Sequence, residues 1–282
     1  MRAYFILLTF LLTGCSSLLY YPTYVKHVDE AKLPIKPQEL EWAMPGYKNS
    51  KITAWYFDAD PKKEPKAVVL LFHGNGQNLS SQFYSLYWIL QHNYDYIVFD
   101  YPGYGRSHGE PSPQNTVDSG VSAVAKLKEL MPKTPWVILG QSLGGAIALR
   151  TAHEAASIDK PCLVVVESTF HSYKKVVSSV LRQNWFTWPF QPLAYLLFSD
   201  NYAPKNQIAK ISPTPLIVIH GDKDVVVDIS LGQKVFDLAN EPKEFWLVEG
   251  GAHTVAFTGR DKLLYQNKLL ASLDKHCLPQ SR

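Results

Sequence analysis

Ser142 is the residue of this 282-residue chain with the clearest potential for chemistry. It lies in the sequence GQSLG at residues 140–144, between an apolar run at 136–139 and a run of small residues at 145–149. The first run predicts a buried strand and the second predicts the start of a helix. A serine on a sharp turn between a strand and a helix has an exposed hydroxyl, next to the free amide groups of the helix N-terminus. The pattern predicts a nucleophile, and a glycine-rich turn with an incidental serine is the alternative.

A base must accompany this serine, because a serine hydroxyl is a poor nucleophile at neutral pH. His253 closes the sequence GGAH at residues 250–253, and the two glycines would allow the loop to fold back towards Ser142. His73 and His220 end predicted strands but directly precede glycine, which favours hydrogen bonds to the backbone. The remaining histidines lie in tether, loop or helix-face contexts: His27, His92, His108, His153, His171 and His276. His253 is therefore the predicted base.

The base in turn needs a carboxylate that orients its imidazole ring. Asp224 lies in the loop after the apolar run at 216–219, and it faces the expected position of His253. Asp222 lies directly at the end of that run, where it could cap the turn, and Glu167 ends the preceding predicted strand. Asp224 is the predicted acid, with Asp222 and Glu167 as alternatives.

An oxyanion hole must supply two hydrogen-bond donors for the negative charge that develops on the substrate oxygen. The backbone N–H of Leu143, directly after the serine, is the first predicted donor. The second is the backbone N–H of Asn75, in the sequence HGNG at residues 73–76. This loop follows the continuous apolar run at 67–72, which is typical of a central strand covered on both faces. A plain glycine turn is the alternative interpretation of the loop.

The elements that must position these groups alternate between short apolar runs and amphipathic patterns. Strands are predicted at residues 41–46, 51–58, 67–72, 94–99, 136–139, 162–166, 216–219 and 244–248. Helices are predicted at residues 80–92, 113–131, 229–240 and 260–275, and one more begins at residue 145. This alternation predicts an α/β fold with a mostly parallel sheet and helices on both faces. In such a sheet the ligand site lies beyond the carboxyl ends of the strands, where the polar residues named above are expected.

These motifs resemble the α/β-hydrolase superfamily of serine hydrolases over residues 41–275. Serine, acid and histidine follow one another in the order expected of that fold. The sequence DYPGYGRS at residues 100–107 is similar to the D-Y-x-G-Y-G-x-S segment of membrane-associated α/β-hydrolase-domain proteins, which are related to serine aminopeptidases. Pro102 stands where arginine is common in that branch, which weakens any transfer of its substrate. The superfamily includes several other activities, so the fold does not settle the substrate.

Residues 169–210 interrupt the alternation and resemble the short cap that α/β hydrolases place over the active site. They include the aromatic sequence NWFTWPF at 184–190 and the apolar sequence LAYLLF at 193–198. The aromatic residues could pack on the sheet, line an acyl pocket or contact lipid. The predicted catalytic domain is residues 41–282, with this cap inserted in it.

The N-terminus has the pattern of a signal peptide. Its apolar core at residues 3–12 follows a basic residue and is too short to span a bilayer as a helix. The sequence LTGC at residues 12–15 resembles the lipobox of bacterial lipoproteins. That resemblance implies removal of residues 1–14 and lipid modification of Cys15. An ordinary secretory signal, or an uncleaved anchor extended through residues 18–21, is the alternative.

A lipidated Cys15 would anchor the protein to a membrane of the bacterial cell envelope. The sorting rule of lipoproteins implies that Ser16 favours the outer membrane, on its periplasmic side. Residues 15–40, which contain three prolines, are then expected to be a tether between the lipid and the catalytic domain.

The composition is that of an ordinary globular protein, with 46% hydrophobic and 19% charged residues. A net charge of +3 is too small to indicate nucleic-acid binding. Cys162 begins an apolar run and is expected to be a buried thiol, whereas Cys277 lies near the C-terminus, so no disulfide framework is predicted. No Cys/His cluster has the spacing of a zinc site, and neither a metal nor a cofactor is expected.

The leading functional hypothesis is a lipid-anchored serine hydrolase that cleaves carboxylic esters through an acyl-Ser142 intermediate. A small-molecule or acyl ester is the expected substrate. A peptidase, amidase or thioesterase could use the same triad, because the shape of the pocket selects the leaving group. A catalytically silent lipoprotein that uses the fold for binding is the remaining alternative.

Overall fold

One sheet organises the computed structural model, which describes residues 19–183 and 185–279. The predicted signal peptide at residues 1–14 and the predicted lipidation site Cys15 lie outside the described residues. The eight strands in the described part of the chain are β1 (Gln38–Trp42), β2 (Ile52–Phe57), β3 (Val68–Phe72), β4 (Asp95–Phe99), β5 (Trp136–Gln141), β6 (Leu163–Glu167), β7 (Leu216–Gly221) and β8 (Lys243–Val248). Their order in the sheet is β1-β2-β4-β3-β5-β6-β7-β8.

The sheet is antiparallel at one edge and parallel elsewhere. β2 pairs antiparallel with both β1 and β4, and the other neighbouring strands pair in parallel. Parallel pairing brings the carboxyl ends of successive strands together: Phe72 lies opposite Gly140, and Gln141 lies opposite Glu167. The predicted α/β architecture with a mostly parallel sheet is confirmed, and it gathers the polar strand ends at one edge.

Helices cover the sheet on both faces. The α-helices in the described residues are α1 (Leu79–Gln82), α2 (Pro113–Leu130), α3 (Leu143–Glu154), α4 (Tyr173–Arg182), α5 (Gln191–Leu197), α6 (Ile229–Leu238) and α7 (Lys262–Cys277). α2 begins where the sequence is suited to a helix start: Ser112 Oγ accepts a hydrogen bond from the N–H of Asn115, and Pro113 occupies the first position. Among these described helices, none combines the length and the apolarity needed to cross a membrane.

The core lies on both faces of the central strands. In β3 every residue is buried; Val68, Leu70 and Phe72 belong to one apolar cluster, and Val69 and Leu71 belong to the other. Each buried side chain of this size contributes about 1.5–3 kcal/mol relative to leaving it exposed. The sheet is therefore a rigid support for the residues at its carboxyl edge.

Two predicted elements differ from the structure. The strand predicted at 41–46 is β1, which lies three residues earlier because Leu40 pairs opposite Ala54 and a turn follows at Pro45. The helix predicted at 80–92 is one turn of α-helix followed by 3₁₀ turns at Phe83–Ser85 and Tyr87–His92. This segment is rich in aromatic residues, which have weak helix propensity. Phe83 is buried in the core, whereas Tyr84 is exposed.

The segment predicted as a tether, residues 15–40, is packed against the domain from residue 19 onward. Tyr20 is buried, and its hydroxyl oxygen lies 3.4 Å from Thr116 Oγ1. Further along, the backbone N–H of His27 donates to Ser80 Oγ at 2.9 Å. A flexible tether would leave these groups to water, whereas here a buried aromatic ring and paired backbone groups fix the segment in place.

The prediction of a free thiol at Cys162 is wrong, because Cys162 forms a disulfide with Cys277. The two cysteines are 115 residues apart, so their spacing in the sequence gave no signal of pairing. α7 packs against β6, and this contact brings the last residue of the helix next to the start of the strand. The pairing is therefore a consequence of tertiary packing.

Candidate active site

Ser142 lies between β5, which ends at Gln141, and α3, which begins at Leu143. Its φ of 55° and ψ of −122° lie in a region that residues other than glycine rarely adopt. The next strand holds this strained backbone, because the N–H of Ser142 donates to the carbonyl of Glu167 at 2.8 Å. The hydroxyl of Thr169 donates to the carbonyl of Ser142, also at 2.8 Å. The turn thus fixes the serine at the carboxyl edge of the sheet.

Two glycines allow this turn to pack closely. A Cβ on Gly144 would lie 2.2 Å from the carbonyl oxygen of Phe72, in the neighbouring strand. A Cβ on Gly140 would lie 2.6 Å from the carbonyl oxygen of Gly144. Side chains at these positions would force β3 and the start of α3 away from the serine.

Asp224 and His253 meet on the loops that follow β7 and β8. Asp224 Oδ2 lies 2.8 Å from His253 Nδ1, and Asp224 Oδ1 accepts hydrogen bonds at 2.9 Å from the N–H groups of Val226 and Val227. Burial of the carboxyl favours its protonated form, but the bonds from His253 and the two amides lower the pKa of Asp224 below its ordinary value. The carboxylate is therefore ionised at neutral pH and can hold the Nδ1–H of the imidazole, which leaves Nε2 to accept a proton.

The two alternative acids bind other partners. Asp222 Oδ1 accepts a hydrogen bond from the N–H of Gly250 at 2.7 Å, which caps the loop after β8. Glu167 is buried, and burial raises its pKa. Its carboxyl oxygens accept hydrogen bonds from Gln141 Nε2 and from the N–H of Ala256, both at 2.7 Å. Glu167 thus joins the serine turn to the histidine loop, a bridging position that the sequence did not reveal.

The two other histidines at strand ends bind the backbone, as predicted. His220 is buried, which lowers its pKa, and its Nε2 lies 2.9 Å from the carbonyl oxygen of Val227 and 3.4 Å from Asp224 Oδ2. His73 Nδ1 lies 2.7 Å from the carbonyl oxygen of Gly74. Neither ring is arranged as a base for the serine.

The loop after β3, which carries Asn75, lies directly against Ser142. A Cβ placed on the glycine before Asn75 would be 3.6 Å from the Cβ of Ser142, an ordinary van der Waals contact. The hydroxyl of Tyr101 donates to the carbonyl of His73 at 2.8 Å, and the hydroxyl of Tyr104 donates to Asn75 Oδ1 at 2.6 Å. The segment at residues 100–107 therefore holds the predicted oxyanion loop beside the serine.

The side chain of Asn75 also binds the N-terminal segment, a contact that the sequence did not reveal. Asn75 Nδ2 donates to the carbonyl of Leu19 at 2.6 Å, and Asn75 Oδ1 accepts from the N–H of Tyr21 at 2.9 Å. The available signal was the apolar sequence LLYY at residues 18–21, in which the side chain of Tyr20 is buried. This segment becomes part of the site.

Ser142 lines a cleft of about 410 Å³, within the usual range for small-molecule sites. The predicted oxyanion donors Leu143 and Asn75 lie on the same cleft. Its other walls are apolar, and they are formed by Leu19, Tyr21, Phe170, Val176, Val177, Val180, Leu181, Phe198, Val226 and Val227. Such walls suit an acyl chain.

Throughout residues 19–183 and 185–279, no group of three His, Cys, Asp or Glu side chains is arranged to hold a metal ion.

Comparison with known proteins identifies the family. The model of the alpha/beta hydrolase fold matches residues 67–191, which include the predicted oxyanion loop and the serine turn. The uncharacterized protein YfhR of Salmonella typhimurium is 30% identical over 214 residues, which cover 72% of this chain and 70% of YfhR. The chain belongs to the α/β-hydrolase family.

Two further comparisons place this α/β hydrolase more closely. The lysophosphatidylserine lipase ABHD12 of Danio rerio is 27% identical over 241 residues, which cover 79% of this chain and 60% of ABHD12. This match fits the branch of α/β-hydrolase-domain proteins. The structure of the Pyrococcus furiosus esterase Pf2001 superposes with a TM-score of 0.70 at 19% identity, over 92% of this chain and 98% of the esterase. The fold is thus shared with an esterase, and the comparisons support hydrolase activity.

Proposed function

We propose that this α/β hydrolase cleaves carboxylic esters through an acyl intermediate on Ser142. The observation that carries the proposal is the pair formed by Asp224 and His253 at 2.8 Å, on the sheet edge that also bears the strained turn of Ser142. A glycine-rich turn with an incidental serine would not require a paired carboxylate and imidazole at the same edge of the sheet. A buried carboxylate bound to an imidazole is the arrangement that activates a serine.

In the proposed reaction, His253 Nε2 takes the proton of the Ser142 hydroxyl while the serine oxygen attacks the ester carbonyl. The backbone N–H groups of Leu143 and Asn75 bind the resulting oxyanion. When the tetrahedral intermediate collapses, His253 gives its proton to the leaving alcohol. Water then attacks the carbonyl of the acyl-serine while His253 takes one of its protons. His253 passes this proton to the Ser142 oxygen as the bond to the acyl group breaks, which releases the carboxylic acid and restores the serine. Asp224 remains ionised throughout and stabilises the imidazolium.

Carboxylic esters are the proposed substrates rather than amides or thioesters. The apolar walls of the cleft suit an acyl chain. A lysophospholipid lipase and an esterase among the similar proteins support the same class of bond.

We also propose that Cys15 is lipidated and that the protein faces the periplasm from the outer membrane. The disulfide between Cys162 and Cys277 supports a location outside the cytoplasm, because disulfides persist in oxidising compartments.

A substrate panel tests this function. Wild-type protein is assayed with p-nitrophenyl esters of rising acyl length and, in parallel, with aminoacyl p-nitroanilides. We expect ester hydrolysis with an optimum in acyl length, and no comparable anilide hydrolysis. Faster anilide hydrolysis would assign a peptidase, and no hydrolysis of either class would favour a silent binding protein.

Mass spectrometry of the mature N-terminus tests the lipid anchor. It should show an acylated Cys15, whereas an intact Met1 would contradict cleavage.

A further inference from the structure

The cap exposes a set of large apolar side chains. Trp185 is 86% exposed and Leu196 is 73% exposed. Between them in the chain, other large apolar residues are exposed as well, among them Trp188, Phe190, Leu193 and Tyr195. Single exposed apolar residues are common on proteins, but several within one short segment mark a surface that contacts an apolar partner. We call these six residues the cap face.

The cap face does not serve the cleft. The cap residues that line the cleft are Phe170 before α4, four residues of α4 and one residue after α5: Val176, Val177, Val180, Leu181 and Phe198. Of the three roles predicted for the aromatic run, an acyl pocket and packing on the sheet therefore do not account for its exposure. Contact with lipid is the role that remains.

The rim of the cleft is apolar in the same way. Tyr21 and Val226 both line the cleft, and they are 66% and 48% exposed. Val180, at the C-terminal end of α4, also lines the cleft and is exposed. α4 packs against α5, which carries part of the cap face. Exposed apolar surface is therefore found both at the mouth of the cleft and on the adjoining cap.

The charge of the cap fits an anionic bilayer. Residues 169–210 contain five basic residues and one acidic residue, although the whole chain carries a net charge of only +3. Lys175 Nζ lies 5.5 Å from the centre of the Tyr195 ring, next to the cap face. Aromatic side chains flanked by lysine and arginine are typical of surfaces that insert into the headgroup region of a membrane.

The N-terminal segment indicates how far the cleft can be from a lipid anchor. Leu19, whose carbonyl is bound by Asn75, lines the cleft. Only four residue steps separate Leu19 from Cys15. A fully extended chain of that length spans at most about 14 Å. A lipid on Cys15 would therefore keep Leu19, and with it this side of the cleft, within about 14 Å of the anchored residue.

We propose that the cap face docks on the surface of a bilayer that contains anionic phospholipid, with the cleft opening onto the lipid. The indole and phenol rings lie among the headgroups, and Lys174 and Lys175 bind lipid phosphates. Arg182 and Lys205 are not needed for this role, because they pair with Asp228 and Asp200. One consequence rests on the proposed esterase function: the natural substrates are acyl esters drawn from the membrane.

Tryptophan quenching tests the docking without any need for activity. Lipidated mature protein is reconstituted into vesicles of phosphatidylethanolamine and phosphatidylglycerol that carry brominated acyl chains. We expect the fluorescence of the wild type to be quenched, and we expect most of the quenching to disappear in Trp185→Phe/Trp188→Phe. The variant Leu193→Ser/Leu196→Ser keeps both tryptophans and should lose at least half of the quenching.

The matched control is Leu263→Ser/Leu264→Ser on α7, whose two leucines are 67% and 57% exposed but lie outside the cap. This variant should be quenched like the wild type. Leu196→Ser alone replaces the double variant where circular dichroism shows that the cap is unfolded. Equal quenching of wild type and cap variants would overturn the proposal. So would a concentration-dependent dimer that only the cap variants disrupt, since the cap face would then bind a second copy.

A kinetic comparison tests the consequence for substrate. Leu193→Ser/Leu196→Ser should lower kcat/KM at least tenfold for an acyl ester embedded in vesicles. It should change kcat/KM less than twofold for soluble p-nitrophenyl acetate. Equal losses on both substrates would overturn the consequence. A wild type that hydrolyses neither ester refutes the proposed esterase function, whereas the quenching result bears on the docking alone.

Discussion

The edge of the sheet that bears Ser142 and the cap beside it are built in opposite ways. At the sheet edge, the Asp224 carboxylate is fully buried and bound by His253 and by two backbone amides. On the cap, Trp185 and Leu196 are largely exposed. In the first region the buried carboxylate has its hydrogen-bond partners within the chain, and the second region presents apolar surface for which the described chain offers little cover.

This contrast assigns different tasks to the two regions. A proton-transfer site needs fixed distances, which buried groups with several partners provide. A surface that meets a fluid bilayer needs apolar area and charge rather than fixed distances. Changes at the sheet edge should therefore reduce hydrolysis of every ester, whereas changes at the cap face should reduce only hydrolysis at a membrane.

The largest effect is expected at Asp224. In Asp224→Asn, Oδ1 can still accept from the two amides, but the new NH₂ group faces His253 Nδ1 and favours the wrong imidazole tautomer. The kcat for a soluble p-nitrophenyl ester should fall by about 10⁴-fold, with little change in thermal stability. Asp222→Asn is the matched control and should cost less than about tenfold, because its partner is the N–H of Gly250. The opposite order of effects would move the acid to Asp222.

A smaller effect is expected at Asn75. Asn75→Ala keeps the backbone N–H that we propose as an oxyanion donor, but it removes the bonds to Leu19, Tyr21 and Tyr104 that fix the loop. A displaced donor should lower kcat/KM by about 10- to 100-fold on soluble and membrane esters alike. Tyr104→Phe removes one of these bonds and should cost less. A loss confined to membrane esters would mean that Asn75 acts only through the N-terminal segment.

The smallest effect concerns Tyr20, which docks the N-terminal segment. Burial raises the pKa of Tyr20 from 10.0 to about 12. Its neutral form therefore stabilises the folded state fully below pH 10, and this contribution is lost as the pH rises towards 12. The loss amounts to at most about 3 kcal/mol. Urea unfolding at pH 9 and pH 11.5 should show a smaller alkaline loss of stability for Tyr20→Phe than for wild type. An identical loss in both proteins would indicate that Tyr20 is not buried in solution.

The parts of the molecule that could be predicted are those with local signals. The apolar run before Ser142, the glycines of its turn and the order of acid and histidine are visible in consecutive residues. Asp224 could be ranked above Asp222 from its place in the loop, and the structure pairs it with His253. The mostly parallel sheet followed from the alternation of strands and helices.

The parts that could not be predicted depend on contacts between distant segments. The disulfide joins residues 115 positions apart, and it exists because α7 packs on β6. Glu167 could have been the acid by position, and only the structure shows it bound to Gln141 and Ala256. The docking of Tyr20 and the exposure of Trp185 are likewise decided by which surfaces the rest of the chain leaves available.

The identity of the nucleophile is the central claim, and covalent labelling tests it most directly. A fluorophosphonate probe reacts with an activated serine, and peptide mass spectrometry then locates the adduct. We predict a single adduct on Ser142 in the wild type, and no labelling in Ser142→Ala with its fold intact by circular dichroism. Unchanged labelling of Ser142→Ala, or an adduct on another serine in the wild type, would contradict the account.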